Sequence, residues 1–110
     1  RIFRNLLEEF DFQVEEARNG KEALSQIEKR IDELHLIFSD ISMPIMDGFE
    51  LCYRLQQEEW YDGTPFVLVS TESDANNVIR GLKLGADDFM PKPFDKEMTA
   101  QVIGRVMQNV

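Results

Sequence analysis

The 110-residue sequence predicts an α/β domain, a parallel sheet with helices on both faces. Three observations carry that prediction. Short, near-continuous apolar runs such as FVLV at residues 66–69 read as strands buried on both faces. Segments with apolar residues at helical spacing separate them. Turn and cap residues fall at the joints: Asn19-Gly20, Asp47-Gly48, Asp62-Gly63, Gly85 and Asp95.

Residues 1–10 place Ile2, Phe3, Leu6, Leu7 and Phe10 on one helical face. Residues 12–17 read as extended, and Asn19-Gly20 turns the chain into a helix over 21–30, with Leu24, Ile27 and Ile31 inward. Residues 34–38, apolar apart from His35, form the next expected strand. Residues 47–60 give a third helix that buries Leu51, Cys52 and Leu55. A turn at 62–65 leads into the strand at 66–69. Ser73 or Asp74 can cap a helix running to about Leu84, with Val78, Ile79 and Leu82 inward and Gly85 ending it. Residues 86–90 form a short strand. Asp95 then caps a last helix with Met98, Val102, Val106 and Val110 inward. No repeat, low-complexity tract or linker interrupts this alternation, so residues 1–110 are expected to form one domain.

Composition narrows the function. Hydrophobic residues make up 43% of the chain, enough for a packed core and against wholesale disorder. No apolar run approaches the roughly 18 residues that span a bilayer. The 21 acids against 12 bases give a formal charge of −9, which argues against gripping nucleic acid or anionic lipid through the general field. Cys52 is the single cysteine, so no internal disulfide forms, and a lone thiol in an acidic chain suits a reducing cytoplasm. It reads as a helix-packing residue rather than a nucleophile. His35, the single histidine, has no companions that would make a metal set and reads as structural.

The expected strands end in an unusual set of polar groups. Asp40 follows LIF, Ser70 follows FVLV, and Lys92 follows FMP. In an open α/β sheet, ligands bind beyond the carboxyl ends of the strands. Singly these are a turn carboxylate, a loop hydroxyl and a solvated lysine. Jointly, on parallel neighbouring strands, they bring a nucleophile, a hydrogen-bond donor and a point cation to one crevice suited to a phosphoryl group.

The segment SDISMPIMDG resembles the phosphoacceptor segment of bacterial response-regulator receiver domains, in which D-x-x-M-P-x-M-D-G follows the third strand. GADDFMPKPF is similar to the fifth-strand segment of that family, LVST to its fourth-strand end, and ARNGKEAL to the turn into its second helix. The likeness runs over the whole chain. It implies a flavodoxin-like, doubly wound parallel sheet of order 2-1-3-4-5. It also implies a phosphoacceptor switch of a two-component system, not primarily an enzyme beyond slow self-dephosphorylation. Asp40 would take a phosphoryl group from a sensor histidine kinase or phosphotransfer protein, with Lys92 on a phosphate oxygen and Ser70 turning inward onto another. Mg²⁺ would be held by Asp40 and the backbone carbonyl of Ser42. Ser42 and Glu72 would tune dephosphorylation. Phe89, where many relatives carry tyrosine, would be the aromatic switch, and a cis Lys92–Pro93 bond would aim the lysine. The changing surface would be residues 73–84 and 86–110, read by a downstream protein target.

The sequence also departs from that family. Receivers open with a strand and an acidic pair that completes the metal site, whereas this sequence opens inside what resembles the first helix. The first strand is therefore expected to be absent from this chain and the domain N-terminally incomplete. Three explanations stand: preceding residues in the natural protein, a strand supplied by a second chain through pairing or exchange, or a rearranged monomer. The main rival function is a phosphorylation-independent protein-binding pseudo-receiver. A small flavin-binding α/β protein is a second rival, and it would need a phosphate-cradling loop that is not seen here.

Overall fold

A computed structural model describes residues 2–71 and 75–107, the side chain of Ile2 excepted. Among these residues, three strands form one parallel sheet of order β1-β2-β3: β1 (Ile37–Asp40), β2 (Phe66–Ser70) and β3 (Asp88–Pro91). Five helices of the described residues surround it: α1 (Ile2–Glu8), α2 (Gly20–Arg30), α3 (Gly48–Gln57), α4 (Ala75–Lys83) and α5 (Lys96–Met107). All five residues of β2 are buried, and their alternation divides the core in two. Phe66 and Leu68 point into a cluster with Ile37, Phe49, Leu51, Cys52 and Leu55. Val67 and Val69 point the other way, toward Met90, Val102 and Val106, where Phe3, Phe38 and Phe94 close the layer. Helices therefore cover both faces, as the two-sided apolar runs require. Each fully buried large side chain contributes about 1.5–3 kcal/mol of transfer free energy, which makes β2 the anchor of the domain.

Helix starts follow their caps. Asn19 Oδ1 accepts from Glu22 N at 2.8 Å, Asp47 Oδ1 from Glu50 N at 2.8 Å, and Asp95 Oδ1 from Met98 N at 2.8 Å. Gly85, at φ 110°, ends α4 in the left-handed conformation expected of it. The proposed caps Ser73 and Asp74, and Val110 on the last helix, lie outside the described residues.

Four expectations are corrected. Residues 12–17 form no strand and pair with none; extended backbone becomes sheet only beside a partner, and among the described residues no strand lies along the outer edge of β1. Ion pairs hold this segment instead, Glu16 to Arg4 of α1 and Glu15 to Arg30 of α2. The second expected strand starts late, at Ile37, because Glu33 N and Leu34 N still donate to Arg30 O; His35 is therefore exposed and precedes the strand. In α4, Ile79 and Leu82 are half exposed, and the inward residue is Gly81. A Cβ there would lie 2.6 Å from Leu68 Cδ1, so α4 approaches the sheet through its glycine and its apolar stripe rotates outward. The third helix stops at Gln57 rather than Trp60, where Glu58 turns extended at ψ 130°.

Candidate functional site

The carboxyl ends of the three strands meet at one edge of the sheet. Asp40 is the last residue of β1 and stands opposite Val69; Ser70 is the next residue and ends β2. Lys92 follows β3 directly, and its backbone N donates to Ser70 O at 2.8 Å. The parallel register therefore brings the three positions into adjacent places. Lys92 Nζ lies 2.5 Å from Asp40 Oδ1. Both side chains are partly exposed, 37% and 49%, whereas Ser70 is buried. The peptide bond between Lys92 and Pro93 is cis, as the sequence led us to expect.

The loop after β1 folds back on the site. Gly48 N donates to Ile41 O at 2.8 Å, and Met46 is buried beneath. A Cβ at Gly48 would lie 2.3 Å from Asp40 O, closer than real Cβ atoms come, so the first turn of α3 can press on the Asp40 backbone only because residue 48 has no side chain. The Asp47-Gly48 pair thus does two jobs, a helix cap and a close approach. The sequence marked it as a helix start alone; its contact with Asp40 depends on the loop path, which no local pattern gives.

Phe89 is half-buried against the first core cluster, beside Leu68 in the ladder, and its N–H donates to the Asp88 carboxylate. Arg105 of α5 takes the other oxygen of that carboxylate, at 2.8 Å, a tie between α5 and β3 that sequence spacing did not reveal. Ser42 is exposed in the loop, and Glu72 lies outside the described residues. Cys52 is fully buried, its Sγ 3.5 Å from Leu84 O; burial pushes its thiol up to about 11, which suits packing and not nucleophilic attack.

The chain matches the model of the response regulator receiver domain over residues 1–103. It belongs to the receiver-domain family. Similar proteins include the transcriptional regulatory protein ResD of Bacillus subtilis, 33% identical over 95 residues that make up 86% of this chain and 37% of ResD. The solved receiver domain of a signal transduction histidine kinase from Syntrophus aciditrophicus is 35% identical, with a TM-score of 0.79 over 99% of this chain and 81% of that one. The receiver domain of sensor histidine kinase PA1611 from Pseudomonas aeruginosa shares the fold at 18% identity, with a TM-score of 0.86 over 97% of this chain and 86% of that one. That receiver is described with a magnesium ion coordinated in its active site cleft. The chain spans between 8% and 41% of the length of the curated relatives it matches.

Three parallel strands with helices on both faces are the flavodoxin-like arrangement that the family shares. This receiver domain is thus a regulatory module of two-component signalling. Among its described residues, no group of three or more His, Cys, Asp or Glu side chains could hold a metal ion. Asp40 is one carboxylate, and an ammonium already faces it. One carboxylate is compatible with Mg²⁺, which is commonly held through one or two carboxylates and keeps several waters. Among the same residues, no helix is long and apolar enough to cross a membrane.

Proposed function

We propose that this receiver domain is a phosphorylation-controlled signalling switch and that Asp40 accepts the phosphoryl group. The donor is a phosphorylated histidine of a sensor kinase or phosphotransfer protein. The Asp40 carboxylate attacks phosphorus; a P–O bond forms as the P–N bond breaks, and the histidine nitrogen leaves with the bonding electron pair and takes up a proton from solvent. Lys92 neutralises a phosphoryl oxygen, which is the main demand of such a transfer. The observation supporting this reading is the Lys92–Asp40 contact of 2.5 Å at the shared strand ends. A cation at that distance from the attacked carboxylate is already in position for the product's charge.

A phosphoryl group adds about −1.5 to −2 charge and new acceptors. Ser70, on the neighbouring strand, turns toward them, and the space it leaves admits the Phe89 ring. The α4–β3–α5 surface then shifts its affinity for a downstream protein. Residues 1–110 act as one receiver unit in the cytoplasm, without nucleic-acid or membrane contacts of their own, and pair with a second copy as a homodimer or by strand exchange. Catalysis is limited to slow self-dephosphorylation.

Acetyl phosphate labelling, with and without Mg²⁺, tests the proposal. Wild type incorporates phosphate and Asp40→Asn does not; undiminished labelling of Asp40→Asn removes Asp40 from the mechanism. Lys92→Ala still labels but loses the phosphorylation-dependent gain in partner affinity. The alternative is a phosphorylation-independent protein-binding module. Wild-type protein that stays unlabelled yet binds its target would establish that alternative.

A further inference from the structure

Ile45 is the most exposed large hydrophobic residue among those described, at 76%, and its backbone sits at φ 70°. Left-handed backbone is a conformation that β-branched residues rarely adopt, because Cβ crowds the following carbonyl. Exposure and strain each work against folding, and glycine would relieve both. Ile45 borders a groove of about 440 Å³ along α2, where Lys21, Ser25 and Lys29 follow one another at four-residue spacing. That spacing lines them up on the helix surface, with the two lysines about 12 Å apart along its axis.

The groove is locally cationic on an acidic protein. Neither lysine has a carboxylate within ion-pair distance among the described residues, although the chain carries a net charge of −9. Glu22, the acid lining the groove, is turned onto its own helix: its Oε1 accepts from Arg18 N at 3.3 Å and from Gln26 Nε2 at 3.2 Å. On a negatively charged chain, an acidic partner is favoured at such a cationic patch over the acidic surface around it.

We propose that this groove docks an acidic protein segment, with an apolar side chain against Ile45 and carboxylates on Lys21 and Lys29. Ile45 lies in the loop between Asp40 and Gly48, yet docking requires no chemistry at Asp40 and stands apart from the phosphoacceptor reading. The strain at residue 45 is kept because the side chain meets a partner rather than the core.

Fluorescence anisotropy with a labelled synthetic peptide, a central leucine flanked by glutamates, tests this. Wild type and Asp40→Asn bind alike, and added salt weakens both. Joint Lys21→Glu and Lys29→Glu substitution lowers affinity at least about tenfold, since two attractions become repulsions. Ile45→Gly also weakens binding several-fold while its melting temperature stays level or rises. A lower melting temperature for Ile45→Gly would return Ile45 to a folding role and overturn the proposal. So would equal binding by wild type and the charge-reversed protein, no binding by wild type, or binding to anionic lipid vesicles in place of the peptide.

Discussion

Gly48→Ala and Gly104→Ala make the same chemical change at two helical positions and have opposite expected outcomes. At Gly48 the new methyl meets backbone, 2.3 Å from Asp40 O and 3.0 Å from Ile41 Cα, and backbone cannot swing aside. Restoring an ordinary contact of about 3.2–3.5 Å requires the start of α3 to retreat by roughly 1 Å. Overpacking of that kind costs about 1–3 kcal/mol. The retreat also stretches the bond from Gly48 N to Ile41 O, now 2.8 Å, whose loss costs about 1 kcal/mol. Against this stands up to about 1 kcal/mol from restricting the unfolded chain. The balance is a destabilisation of about 1–3 kcal/mol. At Gly104, within α5, a Cβ meets nothing within 4 Å, so alanine should stabilise by about 0.5–1 kcal/mol through helix propensity. Urea unfolding followed by circular dichroism resolves both, since a slope of about 1–3 kcal/mol per molar puts the two midpoints roughly half a molar or more apart. Gly48→Ala at or above wild-type stability would refute the close approach of α3 to Asp40.

Two further outcomes are expected. Lys92→Ala should change unfolding free energy by no more than about 1 kcal/mol, because its ion pair with Asp40 is partly exposed, and the same urea titration checks it. Burial holds the Cys52 thiol near 11, above the roughly 8.5 of an unfolded chain, so the neutral thiol adds stability that is fully present below about pH 8.5 and is lost as pH rises to about 11. The loss is on the order of 1–3 kcal/mol, and Cys52→Ala should flatten that stretch of the pH–stability curve.

The sequence was most legible where a residue's meaning is local. Asp47 and Asp95 cap the helices they precede, and their side chains bond to the third residue on, as the pattern requires. Asp40, Ser70 and Lys92 could be placed because each terminates an apolar run, and parallel strands carry run-ends to one edge. Legibility failed where the answer depended on another element. The extended look of residues 12–17 could not make a strand without a neighbour. Ile79 and Leu82 had the right period but were turned outward by the close fit of Gly81 on Leu68. Thr99, polar by type, is fully buried in α5 because its hydroxyl donates to Asp95 O at 2.8 Å, one turn back. The exposure and positive φ of Ile45 follow from a loop path between two elements, and its neighbours in sequence do not announce it.

Burial separates the parts of this receiver that hold it together from the parts that act. The side chains of Phe66, Leu68, Leu55 and Val102 are all at 1% exposure or less, and truncating any of them to alanine removes packing worth about 2–5 kcal/mol. Asp40 and Lys92, one residue beyond that packing, are 49% and 37% exposed and contribute little to it. A carboxylate and an ammonium that added much to stability would resist rearrangement, since every change at the site would have to overcome that contribution. If the pair takes a phosphoryl group as proposed, it can open at small cost while the strands beneath hold their register. The same arrangement exposes the site to loss without unfolding: a variant at Asp40 should keep its fold and its melting temperature and lose only the proposed phosphoacceptor chemistry. A drop in stability on replacing Asp40 that matched a core truncation would show that the carboxylate is structural, and the separation of roles would fail with it.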